Sequence, residues 1–174
     1  MDIKKAGDVM IPLDQYPHIP YWFTLRQGIA EMEKAVLEYG GLSSLPRVIL
    51  IFDEKYQLLG IVRRRDILRG LEPKFLQSKS LEYRKKLFDV DVDPDVSFLS
   101  ADKLIKGIRE QAERPVKDVM LPILTTVEFE DNLMKVVYEM GENNISFVPV
   151  MKSGKVVGVI RSVDVLHEIG KLVL

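Results

Sequence analysis

The chain has 174 residues, 47% hydrophobic and 29% charged, with a formal net charge of −1. That is the composition of a globular protein with one good core or two small ones, and it lacks the basic excess of a broad nucleic-acid footprint. With 0 cysteines, disulfides, zinc–thiolate sites and cysteine nucleophiles are excluded, and no apolar run approaches the roughly 18 residues of a membrane span.

In chain order, Met1 to Lys5 lack the apolar stretch of a signal peptide, so a cytoplasmic protein is expected. Tyr16-Pro17-His18-Ile19-Pro20-Tyr21-Trp22-Phe23 is an aromatic segment expected to staple the chain onto the helix behind it. Thr24 and Gln27 have the form of a capping box. Leu25, Ile29, Met32, Val36 and Tyr39 then predict one face of a helix that stops at Gly40-Gly41. Val48–Phe52 reads as a buried strand, Asp53–Gln57 as a turn, Leu58–Val62 as a second strand and Arg64–Gly70 as a short helix. Leu76–Leu87 and Ala101–Ala112 are predicted helices, the second capped by Ser100, with Leu104, Ile105 and Ile108 as its apolar stripe.

The later part repeats this order. Asp131 is the expected cap of a helix lined by Leu133, Val136, Val137 and Met140. Phe147–Met151 and Val156–Ile160 predict a hairpin around Lys152–Lys155, and a last helix runs over Ser162–Gly170. The repeat is visible in the residues themselves. Gly7-Asp8-Val9-Met10-Ile11-Pro12 returns as Lys117-Asp118-Val119-Met120-Leu121-Pro122, and Gly60–Leu68 returns as Gly158–Leu166. Asp8 and Asp118 are 110 positions apart, whereas Asp66 and Asp164 are 98 apart, so the first repeat is longer by 12 residues. Each repeat is a β-α-β-β-α unit with too few elements to bury both sheet faces alone, so the two are expected to pack on each other. The resulting fold class is α+β, with repeat one over residues 1–72, a mainly helical linker over 73–115 and repeat two over 116–174.

These motifs resemble a tandem pair of CBS (cystathionine β-synthase) domains, a Bateman module. Each half opens on Asp-Val-Met and closes on Gly-hydrophobic-hydrophobic-x-x-x-Asp-hydrophobic-Leu, and repeat two matches more fully. The resemblance implies a regulatory module, not an enzyme. It would bind AMP, ADP, ATP or S-adenosylmethionine in a cleft between repeats and signal to a partner protein. It also implies a homodimer, with no required cofactor and no nucleic-acid or membrane partner. The alternative is a structural or interaction scaffold that binds no small ligand.

For the site, the resemblance implies that Asp66 and Asp164 accept the ribose hydroxyls, since a carboxylate can take both donors. Thr126, Ile145 and Pro149 would line the adenine pocket, with Ile19 and Val48 as counterparts in repeat one. The family's usual Thr or Ser three residues before the aspartate is Arg63 or Arg161 here. With Ser162 beside it, such an arginine could hold phosphate through its planar fork, or could simply pair with a nearby carboxylate. Asp89, Asp91, Asp93 and Asp95 alternate, but the sixth and twelfth positions of a calcium loop counted from Asp89 are Pro94 and Ser100, so the segment reads as an acidic linker. His18 and His167, the two histidines, are far apart in sequence and form no zinc motif.

Overall fold

The computed structural model describes residues 2–76 and 100–174. Repeat one contains α1 (Ala6–Val9), β1 (Ile11–Pro12), a 3₁₀ turn (Leu13–Gln15), β2 (His18–Pro20), α2 (Leu25–Lys34), β3 (Leu37–Tyr39), β4 (Leu42–Ser44), β5 (Val48–Phe52), β6 (Leu58–Arg63) and α3 (Arg64–Gly70). Helix α4 (Ala101–Ala112) leads into repeat two, with β7 (Leu121–Pro122), β8 (Val127–Glu128), α5 (Leu133–Asn143), β9 (Phe147–Lys152), β10 (Lys155–Arg161) and α6 (Ser162–Val173).

Two four-stranded sheets result, ordered β2-β5-β6-β7 and β1-β10-β9-β8. The Asp-Val-Met segments do not serve their own repeats as the sequence reading assumed. Strand β1 pairs with β10 of repeat two, and β7 pairs with β6 of repeat one. The glycine of the closing motif permits the exchange. A Cβ on Gly60 would lie 2.4 Å from the Leu121 carbonyl oxygen, and one on Gly158 would lie 2.6 Å from that of Ile11.

Strand periodicity divides the core into three layers. Val48, Leu50 and Phe52 point between the sheets, where they meet Phe147 and Val159 of the other repeat. Ile49 and Ile51 point the opposite way, onto Leu25 and Ile67 of the flanking helices. Val148 and Val150 likewise pack on Leu133, Val136 and Val165. The continuous apolar run of β5 is therefore a strand buried on both faces.

Four local expectations are corrected. Helix α2 ends at Lys34, and the predicted continuation through Val36 and Tyr39 is instead a hairpin. Gly40 and Gly41 form its turn, at φ of +58° and +81°, which glycine adopts without a Cβ clash. Helix α5 is capped by Asn132, whose side chain accepts the Lys135 N–H; Asp131 accepts the Glu128 N–H one turn earlier. Helix α4 has the expected bounds and Ser100 cap, but it buries Gly107, Gln111 and Ala112 and leaves Ile105 and Ile108 46% and 42% exposed. It approaches Pro73 closely, 2.9 Å from a Cβ built on Gly107, so its small residues face inward. Trp22 is exposed, whereas Tyr21 and Phe23 pack on the repeat-one core. The expected helix beyond Leu76 and the alternating aspartates lie outside the described residues.

Candidate functional site: two unlike clefts

The register makes the repeats superimposable residue by residue. Val48 and Phe147 face Arg63 and Arg161 across their hairpins, and Ile19 and Val127 pair with Ile51 and Val150. Two equivalent clefts between the sheets follow from this, one on the Arg63 side and one on the Arg161 side. The same register locates the 12 extra residues of repeat one. Ile11 to Ile19 spans eight positions against six from Leu121 to Val127, and Ile19 to Val48 spans 29 against 20 from Val127 to Phe147. The last extra residue falls in the β5–β6 turn.

The cleft on the Arg63 side is open, with a volume of about 320 Å³, at the low end of the range for small-ligand pockets. Its walls come from both repeats: Val48, Ile61, Arg63 and Arg65 on one side, Ile145, Phe147 and Pro149 on the other, with Leu121–Thr125 and Asn144–Ser146 at the rim. Among the described residues that line it, Arg63 and Arg65 are the only charged ones. Thr125 is tied down by its hydroxyl, which donates to Glu139 Oε2 at 2.9 Å.

Between the sheets, the cleft on the Arg161 side is filled by the chain; outside that plug, Arg161, Val163 and Asp164 line an open groove of about 880 Å³ between the β3–β4 hairpin and α6. Tyr16 is 3% exposed, its ring centroid lies 5.7 Å from that of Phe147, and its hydroxyl donates to the Val48 carbonyl at 2.7 Å. Leu37 of the hairpin completes the plug beside Ile11, Leu50 and Val159. Burial raises the Tyr16 phenol well above its ordinary pKa; the charge of Arg161 opposes this and that of Asp164 adds to it. The hairpin is latched from outside. Tyr39 donates to Glu168 at 2.7 Å, and Arg161 Nη1 donates to Ser44 Oγ at 2.6 Å. Glu168 also receives Lys4 and Lys171, each at 2.9 Å. Burial works to raise the Glu168 pKa, but the hydrogen bonds from Tyr39, Lys171 and Lys4 outweigh it and bring it down to about 2.

Both motif aspartates are engaged. Asp66 is 6% exposed; its Oδ2 accepts the Arg63 backbone N–H and Nε–H, and its Oδ1 accepts Nη2, all at 2.9 Å. Desolvation raises its pKa, but the Arg63 hydrogen bonds more than offset this and hold it below the ordinary value. Three of the roughly four lone-pair positions of that carboxylate are therefore taken. Asp164 is 3% exposed and receives Arg161 Nε and Nη2 at 2.7 Å each. Each arginine thus closes the first turn of the motif helix onto its aspartate, as a bidentate pair beside the helix N-terminus.

The expected site residues are divided by this arrangement. Val48, Arg63, Ile145 and Pro149 meet in the open cleft. Asp164 and Arg161 lie on the closed side, and Ser162 beside them is exposed. Ile19 is core, packed with Ile49 and Ile51. Thr126 is exposed and its neighbour Thr125 lines the cleft instead. Sequence reasoning missed Ile61, which follows from Arg63 by strand alternation, and Phe147, which follows from Val48 once the repeats are superimposed; Arg65, in the first turn of α3, belongs to a basic run that the sequence shows but does not place in the cleft. Both ring nitrogens of His18 are engaged: its Nδ1–H donates to the Tyr16 carbonyl at 2.8 Å, and its Nε2 accepts from the Tyr56 hydroxyl at 2.7 Å. No cluster of metal-ligating side chains occurs among the described residues.

The CBS domain family matches this sequence at residues 20–73 and 116–171. The chain belongs to that family. No curated protein matches it in sequence. Among solved structures it is similar to a putative acetoin utilization protein, AcuB, from Vibrio cholerae, at 22% identity and TM-score 0.62, covering 99% of this chain and 94% of the other. CBSX2, a CBS-pair protein of Arabidopsis thaliana, is 16% identical with TM-score 0.62, covering 98% and 97%. The CBS domain pair of protein MJ0100 is 17% identical with TM-score 0.62, covering 98% and 99%. At these identities the likeness establishes the fold: a mixed α/β pair of CBS repeats. No helix among the described residues is long and apolar enough to cross a membrane.

Proposed function

We propose that this CBS pair is a regulatory module that takes an adenine nucleotide in the open cleft and signals its binding to a partner protein. The observation that carries the reading is the open cleft itself, apolar on both walls and bearing Arg63 and Arg65 as its charged residues. Apolar walls suit a purine, and the guanidinium of Arg65, unlike that of Arg63, which Asp66 engages, suits phosphate. Arg65 makes no ion pair with any described residue, so its fork is available. The same charge disfavours the cationic S-adenosylmethionine. Relatives support the ligand class: CBSX2 has been crystallised with AMP, the cytosolic domain of the channel MgtE with ATP, and the MJ0100 pair with 5′-methylthioadenosine and S-adenosylmethionine.

Ligand there would bridge the two repeats and bias their packing, which requires different affinities for two arrangements. A homodimer in the cytoplasm is part of this reading, with Leu68 of α3 and Leu166 of α6 among the exposed apolar residues available to a second copy. A second reading, a scaffold that binds no small ligand, is favoured by the engagement of both motif aspartates.

Calorimetric titration with AMP, ADP, ATP and S-adenosylmethionine tests the proposal. The expected result is binding of one or more nucleotides, weakened about tenfold in Arg65→Gln, the scale of one charge-assisted hydrogen bond. Flat titrations at millimolar ligand would favour the scaffold.

A further inference from the structure

The structure assigns the cleft on the Arg161 side a built-in occupant. We infer that Tyr16 sits in it as a ligand's ring would, so the module takes one ligand per chain and Tyr16 decides which cleft that is. The number of ligands rests on the function proposed above; the closure does not.

The argument runs from the two clefts' shared frame. Leu121 and Ile11 occupy equivalent edge positions, and the chain leaves each toward its own cleft. On the open side it passes through Leu124, which is 64% exposed at the rim and leaves the space between the walls open. On the other side two extra residues and a 3₁₀ turn bring Tyr16 back between the sheets. Its ring spans both repeats, resting on Phe147 while its hydroxyl reaches the carbonyl of Val48. An aromatic ring between apolar walls, with one polar atom satisfied by backbone, is the arrangement by which a protein holds a flat heterocycle. His18 fixes the loop by donating to the Tyr16 carbonyl, and the nine-residue insertion supplies Leu37. The closure is thus over-determined by both insertions, each absent from repeat two.

Two measurements test the closure. Titration of the wild-type chain with its tightest nucleotide should give one site per chain; two sites would overturn the inference. Absence of nucleotide binding would sink the proposed function, and the second measurement then decides the closure alone. Tyr16→Ala leaves a slot the shape of the lost side chain, and p-cresol, which is that side chain, should refill it. Millimolar p-cresol should raise the melting temperature of Tyr16→Ala by about 3 °C relative to its effect on wild type. An equal effect on the two proteins would overturn the inference. Should Tyr16→Ala not fold, Tyr16→Leu, which keeps part of the filling, carries the same readout with phenol as probe.

Discussion

The two clefts are framed by equivalent strands in the same register, yet Tyr16 is 3% exposed in one and Leu124 is 64% exposed in the other. The walls are conserved between the repeats because they are also the core; Val48 and Phe147 serve both clefts at once. What differs is the loop content, and loops can be lengthened at small entropic cost. A duplicated fold can therefore lose one of its two sites without disturbing the sheets that build both.

That comparison can be broken most directly at the plug. Tyr16→Ala should cost about 4 kcal/mol, the scale of removing a buried aromatic side chain, whereas Leu124→Ala should stay within about 0.5 kcal/mol. Chemical denaturation of the two variants checks this, and similar costs would mean the clefts are alike after all. The strand crossings are the control, because there the repeats match. Gly60→Ala and Gly158→Ala each force a Cβ to within 2.4 and 2.6 Å of a backbone oxygen, and each should lose about 3 kcal/mol.

The arginine–aspartate pairs come next. The Arg161 side chain is 14% exposed and that of Arg63 is 32% exposed. Arg161→Ala should therefore destabilise by about 3 kcal/mol and Arg63→Ala by about 1 kcal/mol, since the cost of stranding a carboxylate falls with access to water. The pH dependence of the latch falls between these two. Glu168 has a folded pKa of about 2 against an ordinary 4.5. A depressed folded pKa contributes stability above the unfolded value, and that contribution is lost as pH falls from 4.5 toward 2. Thermal melts over this window should show wild type losing about 2 kcal/mol more than Glu168→Gln, with the half-exposed lysines limiting the effect.

The repeat, the strands of both hairpins and the motif helices were legible because their signals are local: the continuous apolar run Val48–Phe52, the helix opening at Arg64, the recurrence of Gly158–Leu166. The exchange of β1 and β7 was not, since no pattern within Asp-Val-Met says which sheet edge it joins. The β3–β4 hairpin was hidden because Val36 and Tyr39 continue a helical spacing by accident, and Gly40-Gly41 serves equally as a helix stop or a hairpin turn. At the site, Ile145 and Pro149, expected on the wall of one pocket, and Val48, expected in its repeat-one counterpart, line one and the same cleft. Of the alternatives open for Arg63 and Arg161, the structure shows the pairing with a carboxylate, three residues further on. The aromatic segment that begins at Tyr16 stood out in sequence, but as a staple onto the helix behind it; the register, which counts two surplus residues before Ile19, is what ties Tyr16 to the cleft.

The crossing of β1 onto β10 also constrains how this chain is made. Ile11 pairs with Val159, which joins positions 148 residues apart. A ribosome that has delivered all of repeat one has delivered a strand whose partner does not yet exist, and a β6 edge still waiting for Leu121. Both edges stay bare until synthesis is well into the second half, when exposed edges are templates for pairing with other chains. Fusing a slow-emerging tag or placing rare codons between the repeats should therefore lower soluble yield more than the same change placed after β10.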